Sequence, residues 1–458
     1  MLVVRLRSPR PARAIAIALA AAVGVAACSG STGTTSSTTA ATVAPTSAPP
    51  VSTPTTTATA ASTSTTGTTL LKGATTASTT TPGSATGAPV PGPAGDAFYT
   101  PPSPLPGAKP GDLIWYRTIP WDADGTGYVI LYRSTTVDGT PVAVSGTVVV
   151  PNGASPAESR PVLAWAHGTT GLGDQCATSR QFAARDAPEA ALATAALQRG
   201  MVFVATDYQG LGTPGEHAYV MNLAEGRNVL DSVRAAGQLP RTQTSGASKV
   251  VIWGHSQGGG AAALAAELAP TYAPELNVVG SMAGAPAGDL QSVGSAAGSG
   301  TGTPFGYVLM AAVGVQAEYP SVGIEKFLTP AGIALLTKIK TQCVDDILPE
   351  LSDKTSADIA TPTLATDPAL TKVLKDNSAG YLKTPVPIFI YHGDADDTVP
   401  VGVSKLMFDR YCAEGVTVER KVYPGAGHVD VIASALGDIT AWLDARLQGE
   451  AARSTCTS

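Results

Sequence analysis

The first chemical signal is a serine between glycines. Gly254-His255-Ser256-Gln257-Gly258, a G-x-S-x-G, follows the apolar run 249–253 and precedes an Ala-rich helical pattern. Strand, tight turn and helix in that order make a nucleophile elbow, which strains the serine backbone and presents its Oγ. Gly254 and Gly258 are needed because neighbouring backbone leaves no room for a Cβ. A serine hydroxyl is a weak nucleophile near neutral pH and needs a base that is itself held by an acid. Two of the five histidines, His392 and His428, follow Ser256, and the segment 392–400 offers Asp394, Asp396 and Asp397 as acids. Those aspartates with His392 lack a recognisable cation-binding spacing, so no metal is expected. The negative oxygen formed by attack on a carbonyl needs N–H donors. The Gln257 N–H, directly after the nucleophile, is the first of them.

These residues must be carried by strands and helices. Apolar, β-branched runs bounded by turn residues cover 128–135, 142–150, 162–166, 201–207, 250–254, 278–282, 386–391 and 416–423. Helical patterns over 189–198, 225–236, 259–268, 403–412 and 432–447 alternate with many of them. The fold class expected is α/β, a mostly parallel central sheet with helices on both faces. Val137-Asp138-Gly139-Thr140 separates the first two runs, which therefore read as an antiparallel hairpin. The alternation breaks over about 289–382, where apolar helical segments at 306–317 and 333–339 suggest an inserted helical cap. Phe305, Tyr307, Leu309, Met310, Phe327, Leu335 and Leu336 are its candidates for lining an apolar site.

Charge and cysteine usage place the chain. Arg5, Arg7, Arg10 and Arg13 precede an apolar stretch over 14–27 and Val25-Ala26-Ala27-Cys28. A basic start, a short apolar run and small residues describe a secretory leader over 1–28. The last four residues resemble a bacterial lipobox, which implies lipidation of Cys28, a membrane anchor and an extracytoplasmic location. Without those four arginines, 25 of the 29 basic residues remain against 35 acidic ones, a net charge of −10. Such a balance disfavours nucleic acid as a partner. Residues 29–95 are rich in Ser, Thr and Pro with Lys72 as the sole charge, and are expected to form a disordered linker before a domain at 96–458. Besides Cys28 there are four cysteines, an even number that suits two disulfides in an exported chain and allows three pairings. The favoured pairing is Cys176–Cys343 with Cys412–Cys456, the latter stapling the C-terminal tail to the domain.

The motifs together resemble the secretory lipase family of the α/β-hydrolase superfamily, to which fungal lipase A belongs. They are Trp165-Ala166-His167-Gly168-Thr169-Thr170-Gly171, Thr206-Asp207-Tyr208-Gln209-Gly210, the 254–258 elbow, the 392–400 segment and Gly427-His428. The superfamily order is Ser, then acid, then His, which implies His428 as the base. The H-G-x-x-D-x-x-V-P pattern implies Asp396 as the acid. The H-G-rich loop implies a second oxyanion donor at Thr169; the chain departs from the fungal pattern in having Thr169 and Thr170 where that pattern implies an acidic residue. His167, His255 and His392 read as residues supporting their motifs, His217 carries no signal, and 207–212 reads as loop bracing or substrate contact. The family also pairs a cysteine after the oxyanion loop with the cap, as Cys176–Cys343 would do, and uses no cofactor. The resemblance implies a lipase or carboxylesterase acting on acyl esters, with acylglycerols as the expected substrates, by way of an acyl-enzyme. An envelope acyltransferase, a serine peptidase and a catalytically inactive surface-binding lipoprotein are the alternatives.

Overall fold

The computed structural model describes residues 90–153, 159–298 and 303–457. The leader expected over 1–28, Cys28 and the 29–89 part of the linker lie outside the described residues. The domain reaches to the N-terminal side of residue 96: the Gly92 N–H donates to Tyr116 O at 2.8 Å and the Tyr116 N–H to Val90 O at 3.1 Å. Among the described residues no helix is long and apolar enough to cross a membrane.

Among the described residues nine strands form one sheet: β1 Leu113–Ile119, β2 Gly125–Thr135, β3 Pro141–Pro151, β4 Val162–Ala166, β5 Val202–Thr206, β6 Lys249–His255, β7 Asn277–Gly284, β8 Ile388–Gly393 and β9 Val418–Tyr423. Their order is β1-β2-β3-β5-β4-β6-β7-β8-β9. β1, β2 and β3 pair antiparallel, β3 pairs antiparallel with β5, and the pairs from β5 through β9 are parallel. This is the α/β-hydrolase fold, with β2 and β3 as the expected hairpin. β1 is an addition to the expected strands. It is an edge strand flanked by Asp112 and Pro120, and its Arg117 and Thr118 interrupt the apolar run that would have marked it. An edge strand can carry such residues because solvent reaches it.

Period-2 alternation divides the sheet between two cores. Val162, Ala164, Val202, Val204, Val250 and Ile252 face one side, beneath helices Asn222–Ala236 and Gln257–Tyr272. Leu163, Trp165, Phe203, Ala205, Val251 and Trp253 face the other, beneath Ala190–Gln198 and Asp430–Gln448. Strands buried on both faces read as continuous apolar runs, which is why the central ones were recognisable.

Between β7 and β8 the chain leaves the sheet and forms the cap. Its helices include Leu290–Gly298, Thr303–Glu318, Pro330–Ile339, Val344–Glu350 and Pro368–Asp376. They share a third apolar core containing Leu309, Val313, Phe327, Leu336 and Ile347. The cap is fastened to the body just after the loop that follows β4 by Cys176–Cys343. Backbone bonds reinforce that fastening, from the Leu172 N–H to Gln342 O and from the Val344 N–H to Thr170 O, each 2.9 Å. At its exit, buried Glu267 accepts the Gly380 and Leu382 N–H groups at 2.7 and 3.2 Å. Cys412–Cys456 and a Thr455 N–H to Val418 O bond of 2.9 Å lay the tail along the β9 edge.

Candidate active site

β6 ends at His255, and Ser256 turns the chain into the helix Gln257–Tyr272. Ser256 has φ +59° and ψ −120°, a left-handed backbone that a non-glycine residue adopts only when its surroundings impose it. The surroundings are tight. A Cβ on Gly254 would stand 1.9 Å from Gly258 O, and one on Gly258 would stand 1.9 Å from Ala166 O. Neither position accepts a side chain without displacing backbone. The Ser256 N–H donates to Gly284 O, and Ser256 O accepts the Gly259 and Ala287 N–H groups, which fixes the turn from both sides.

Folding brings Ser256, His428 and Asp396 into one hydrogen-bonded chain. His428, in the loop after β9, stands 2.9 Å from Ser256 Oγ through Nε2 and 2.7 Å from Asp396 Oδ2 through Nδ1. An ionised carboxylate only accepts, so Nδ1 carries the proton and Nε2 is left to accept from the serine hydroxyl. Asp396, in the loop after β8, has a fully buried side chain. Its Oδ1 accepts the Thr398 and Val399 N–H groups at 2.9 and 2.8 Å. Its Oδ2 also accepts from His392 Nε2–H at 3.0 Å. Burial alone would raise this carboxyl's pKa, but the bonds from His392, His428 and the backbone prevail and hold it well below the usual carboxylate range. Asp394 instead accepts the Gly425 N–H, and Asp397 is exposed. With Asp396 and His392 they form no metal-holding group among the described residues.

His255 packs on His428 with the rings tilted by 50° and their centroids 5.0 Å apart. Burial, with the neighbouring His428 adding to it, pushes its pKa down to about 3, so it is a neutral wall beside the His428 imidazole. His167 spans Gly168 O and Asp207 O and holds the loop after β4. Asp207 accepts from Ser145 Oγ, Thr178 Oγ1 and the Ser179 N–H, all buried, which is loop bracing.

Opposite His428 lies the helix N-terminus. Gln257 is its first residue, so its N–H has no intrahelical acceptor and adds to the positive end of the helix dipole. The loop after β4 closes on the same place: a Cβ on Gly168 would stand 3.5 Å from His255 O and 3.8 Å from Ser256 Cβ. Thr169, the next residue, has its Oγ1 2.8 Å from Tyr219 OH. Ser256 and Gln257 open into a mostly apolar cavity of about 650 Å³ between the body and the cap. Leu290, Phe305, Leu309, Val315 and Leu370 are among its walls. Such a site can take a hydrophobic chain whose polar end reaches the serine.

A secretory lipase family model matches residues 184–455. The chain belongs to the secretory lipase family. The chain is 27% identical over 406 residues to lipase A of Arthroderma benhamiae, covering 81% of this chain and 83% of that one. It is also 27% identical over 383 residues to a probable inactive lipase of Mycobacterium tuberculosis, covering 78% and 83%. The solved structure of Candida antarctica lipase A in its closed state superposes with a TM-score of 0.69 at 25% identity, covering 78% of this chain and 87% of that one. The rice cell wall degrading esterase of Xanthomonas oryzae shares the fold, with a TM-score of 0.60 at 23% identity and coverage of 74% and 98%. The chain is accordingly a carboxylic-ester hydrolase, and the activity that goes with its family is hydrolysis of lipid esters.

The sequence did not point to every residue that meets here. Phe305, Tyr307 and Leu309 line the cavity, whereas Met310, Phe327 and Leu336 are buried in the cap's own core and Leu335 packs against it. His217, which carried no signal, contacts the Gln257 side chain. Tyr219, Val220 and Glu225 were equally unmarked, since none belongs to a motif and only folding brings them to the elbow.

Proposed function

We propose that the chain is an exported serine hydrolase that cleaves lipid acyl esters through an acyl-enzyme on Ser256. The observation that carries this reading is the Ser256–His428–Asp396 chain of bonds at the floor of an apolar cavity. The substrate's acyl chain lies in the cavity with its carbonyl carbon at Ser256 Oγ. As Oγ attacks, its proton passes to His428 Nε2, and ionised Asp396 steadies the imidazolium. The carbonyl oxygen becomes an oxyanion facing the Gln257 N–H, with Thr169 as the second donor. Collapse of the adduct breaks the bond to the alcohol oxygen, which leaves with the proton from Nε2. Water then gives a proton to His428 and attacks the acyl-enzyme, releasing the carboxylic acid and restoring Ser256. Acylglycerols fit the cavity's apolar walls; a secreted relative in Malassezia globosa is named a triacylglycerol lipase.

The same reading assigns residues 1–28 as a lipoprotein leader, Cys28 as the lipidated residue and 29 to about 89 as the linker to a catalytic domain with its cap at about 289–382. The two disulfides support an oxidising location. The test of the chemistry is a series of p-nitrophenyl esters of increasing chain length, given to the exported chain and to Ser256→Ala. Hydrolysis that peaks at medium or long chains and is lost in the variant is expected. Equal inactivity of both proteins on every ester would overturn the reading. Fatty-acid labelling that disappears in Cys28→Ser tests the anchor, and labelling that persists would contradict it.

A further inference from the structure

Beneath the elbow lies a buried polar network that the reaction does not use directly. Glu225, in the first turns of the helix Asn222–Ala236, is fully buried. Its Oε1 accepts from Gln257 Nε2–H at 2.6 Å and from the Val220 N–H at 2.9 Å. Gln257 Nε2 also faces His217 Nε2 at 3.2 Å, while His217 Nδ1–H donates to Gln209 O at 3.0 Å. Burial keeps that imidazole neutral, with a pKa pushed down to about 3. The two helices meet closely: a Cβ on Gly226 would stand 2.9 Å from Ala265 N.

Val220 has φ +52°, a left-handed conformation that is an outlier for a β-branched residue and persists only when its surroundings enforce it. Its N–H points at Glu225. The preceding residue, Tyr219, bonds Thr169 Oγ1, and Tyr219, Val220, Ser256 and Gln257 all line the cavity. One carboxyl oxygen therefore links the residue after the nucleophile to the turn that supports the loop opposite.

We propose that Glu225 is a positioning residue of the oxyanion site, tying Gln257 to the Tyr219–Val220 turn so that the Gln257 and Thr169 donors stand at a fixed separation before the ester arrives. This rests on the ester-hydrolase reading of Ser256. A group that only stabilised the fold would, when lost, lower stability without singling out the transition state. A group that positions the oxyanion donors affects bound transition states far more than bound substrate. Burial pushes the Glu225 carboxyl up to about 8, so the neutral acid predominates near pH 7, and glutamine is its closest mimic.

The experiment compares Glu225→Leu, Glu225→Gln, Gln257→Met and Ser256→Ala in the full chain. It measures kcat and KM on the p-nitrophenyl ester that the wild type cleaves fastest. It also measures inhibition by an alkylboronic acid, whose tetrahedral adduct on Ser256 places an oxygen where the oxyanion forms. In Glu225→Leu, kcat is expected to fall about 100-fold, the size of effect seen on losing one oxyanion donor, with KM nearly unchanged and boronate affinity falling in parallel. Glu225→Gln is expected to recover most of that loss. Gln257→Met breaks the same tether from its other end and is expected to show the same split, which keeps the test decisive if the leucine variant does not fold. Wild-type kcat in Glu225→Leu or Gln257→Met, a loss confined to KM, or no recovery with glutamine would overturn the proposal. An active wild type silenced by Ser256→Ala, with Glu225 variants unaffected, sinks this inference alone. A wild type with no ester hydrolysis sinks the reading beneath it as well.

Discussion

The two sides of Ser256 are built on opposite electrostatic plans. On the base side a buried carboxylate, Asp396, gathers bonds from two imidazoles and two backbone N–H groups, and its pKa is driven far below the ordinary range. On the oxyanion side a buried carboxyl, Glu225, has fewer donors; burial prevails and raises its pKa to about 8. A buried carboxyl is thus ionised or neutral according to how many donors surround it. In the proposed reaction the base side needs a fixed charge to stabilise an imidazolium. In that reaction the oxyanion side would gain from having no anion near the developing negative oxygen.

The largest effects should come from breaking the charged side. Ser256→Ala or His428→Ala should lower kcat on p-nitrophenyl esters by roughly a million-fold, as in other serine triads. Asp396→Asn should cost about ten-thousand-fold by favouring the wrong imidazole tautomer. If Asp396→Asn fell no further than the Glu225 variants, the contrast between the two sides would be lost.

Stability against pH should separate the two carboxyls by sign. Asp396 has a depressed pKa, so it contributes stability above its unfolded pKa of about 4, and that contribution fades as pH falls through the acid range. The urea midpoint advantage of wild type over Asp396→Asn should shrink below about pH 4. Glu225 has a raised pKa, so the folded state holds a proton that the unfolded state releases above about pH 4. Wild type should lose stability relative to Glu225→Gln as pH rises from there towards 8. Parallel trends in the two pairs would refute the assignment of charge.

The smallest effect should be at Asp397, adjacent to Asp396 but exposed. Asp397→Asn should change kcat less than about two-fold, within the range of a surface substitution. A loss comparable with that of Asp396→Asn would move the acid by one residue.

The same contrast explains what could be read from the sequence. Ser256, Asp396 and His428 each sit in a short motif at the end of a strand, where local turn chemistry writes a pattern. The central strands were legible because burial on both faces demands continuous apolar residues. Glu225, His217 and Tyr219 act across the fold, 32 residues separating Glu225 from Gln257 and 40 separating His217 from it. A glutamate in the opening turns of a helix ordinarily reads as a solvated partner of the helix dipole, and nothing local says that this one is buried. The cavity walls were half-legible for a related reason. Thr303–Glu318 is apolar around much of its surface, so its sequence does not say which face meets the cap core and which the cavity. β1 was hidden because an edge strand tolerates the polar residues that break its pattern.

The central claim, that Ser256 is acylated through His428, is tested most directly by a p-nitrophenyl alkylphosphonate followed by mass spectrometry of the intact and digested chain. One adduct per chain on the peptide containing Ser256 is expected, forming orders of magnitude more slowly in His428→Ala. An adduct on another residue, or a rate untouched by loss of His428, would contradict the account.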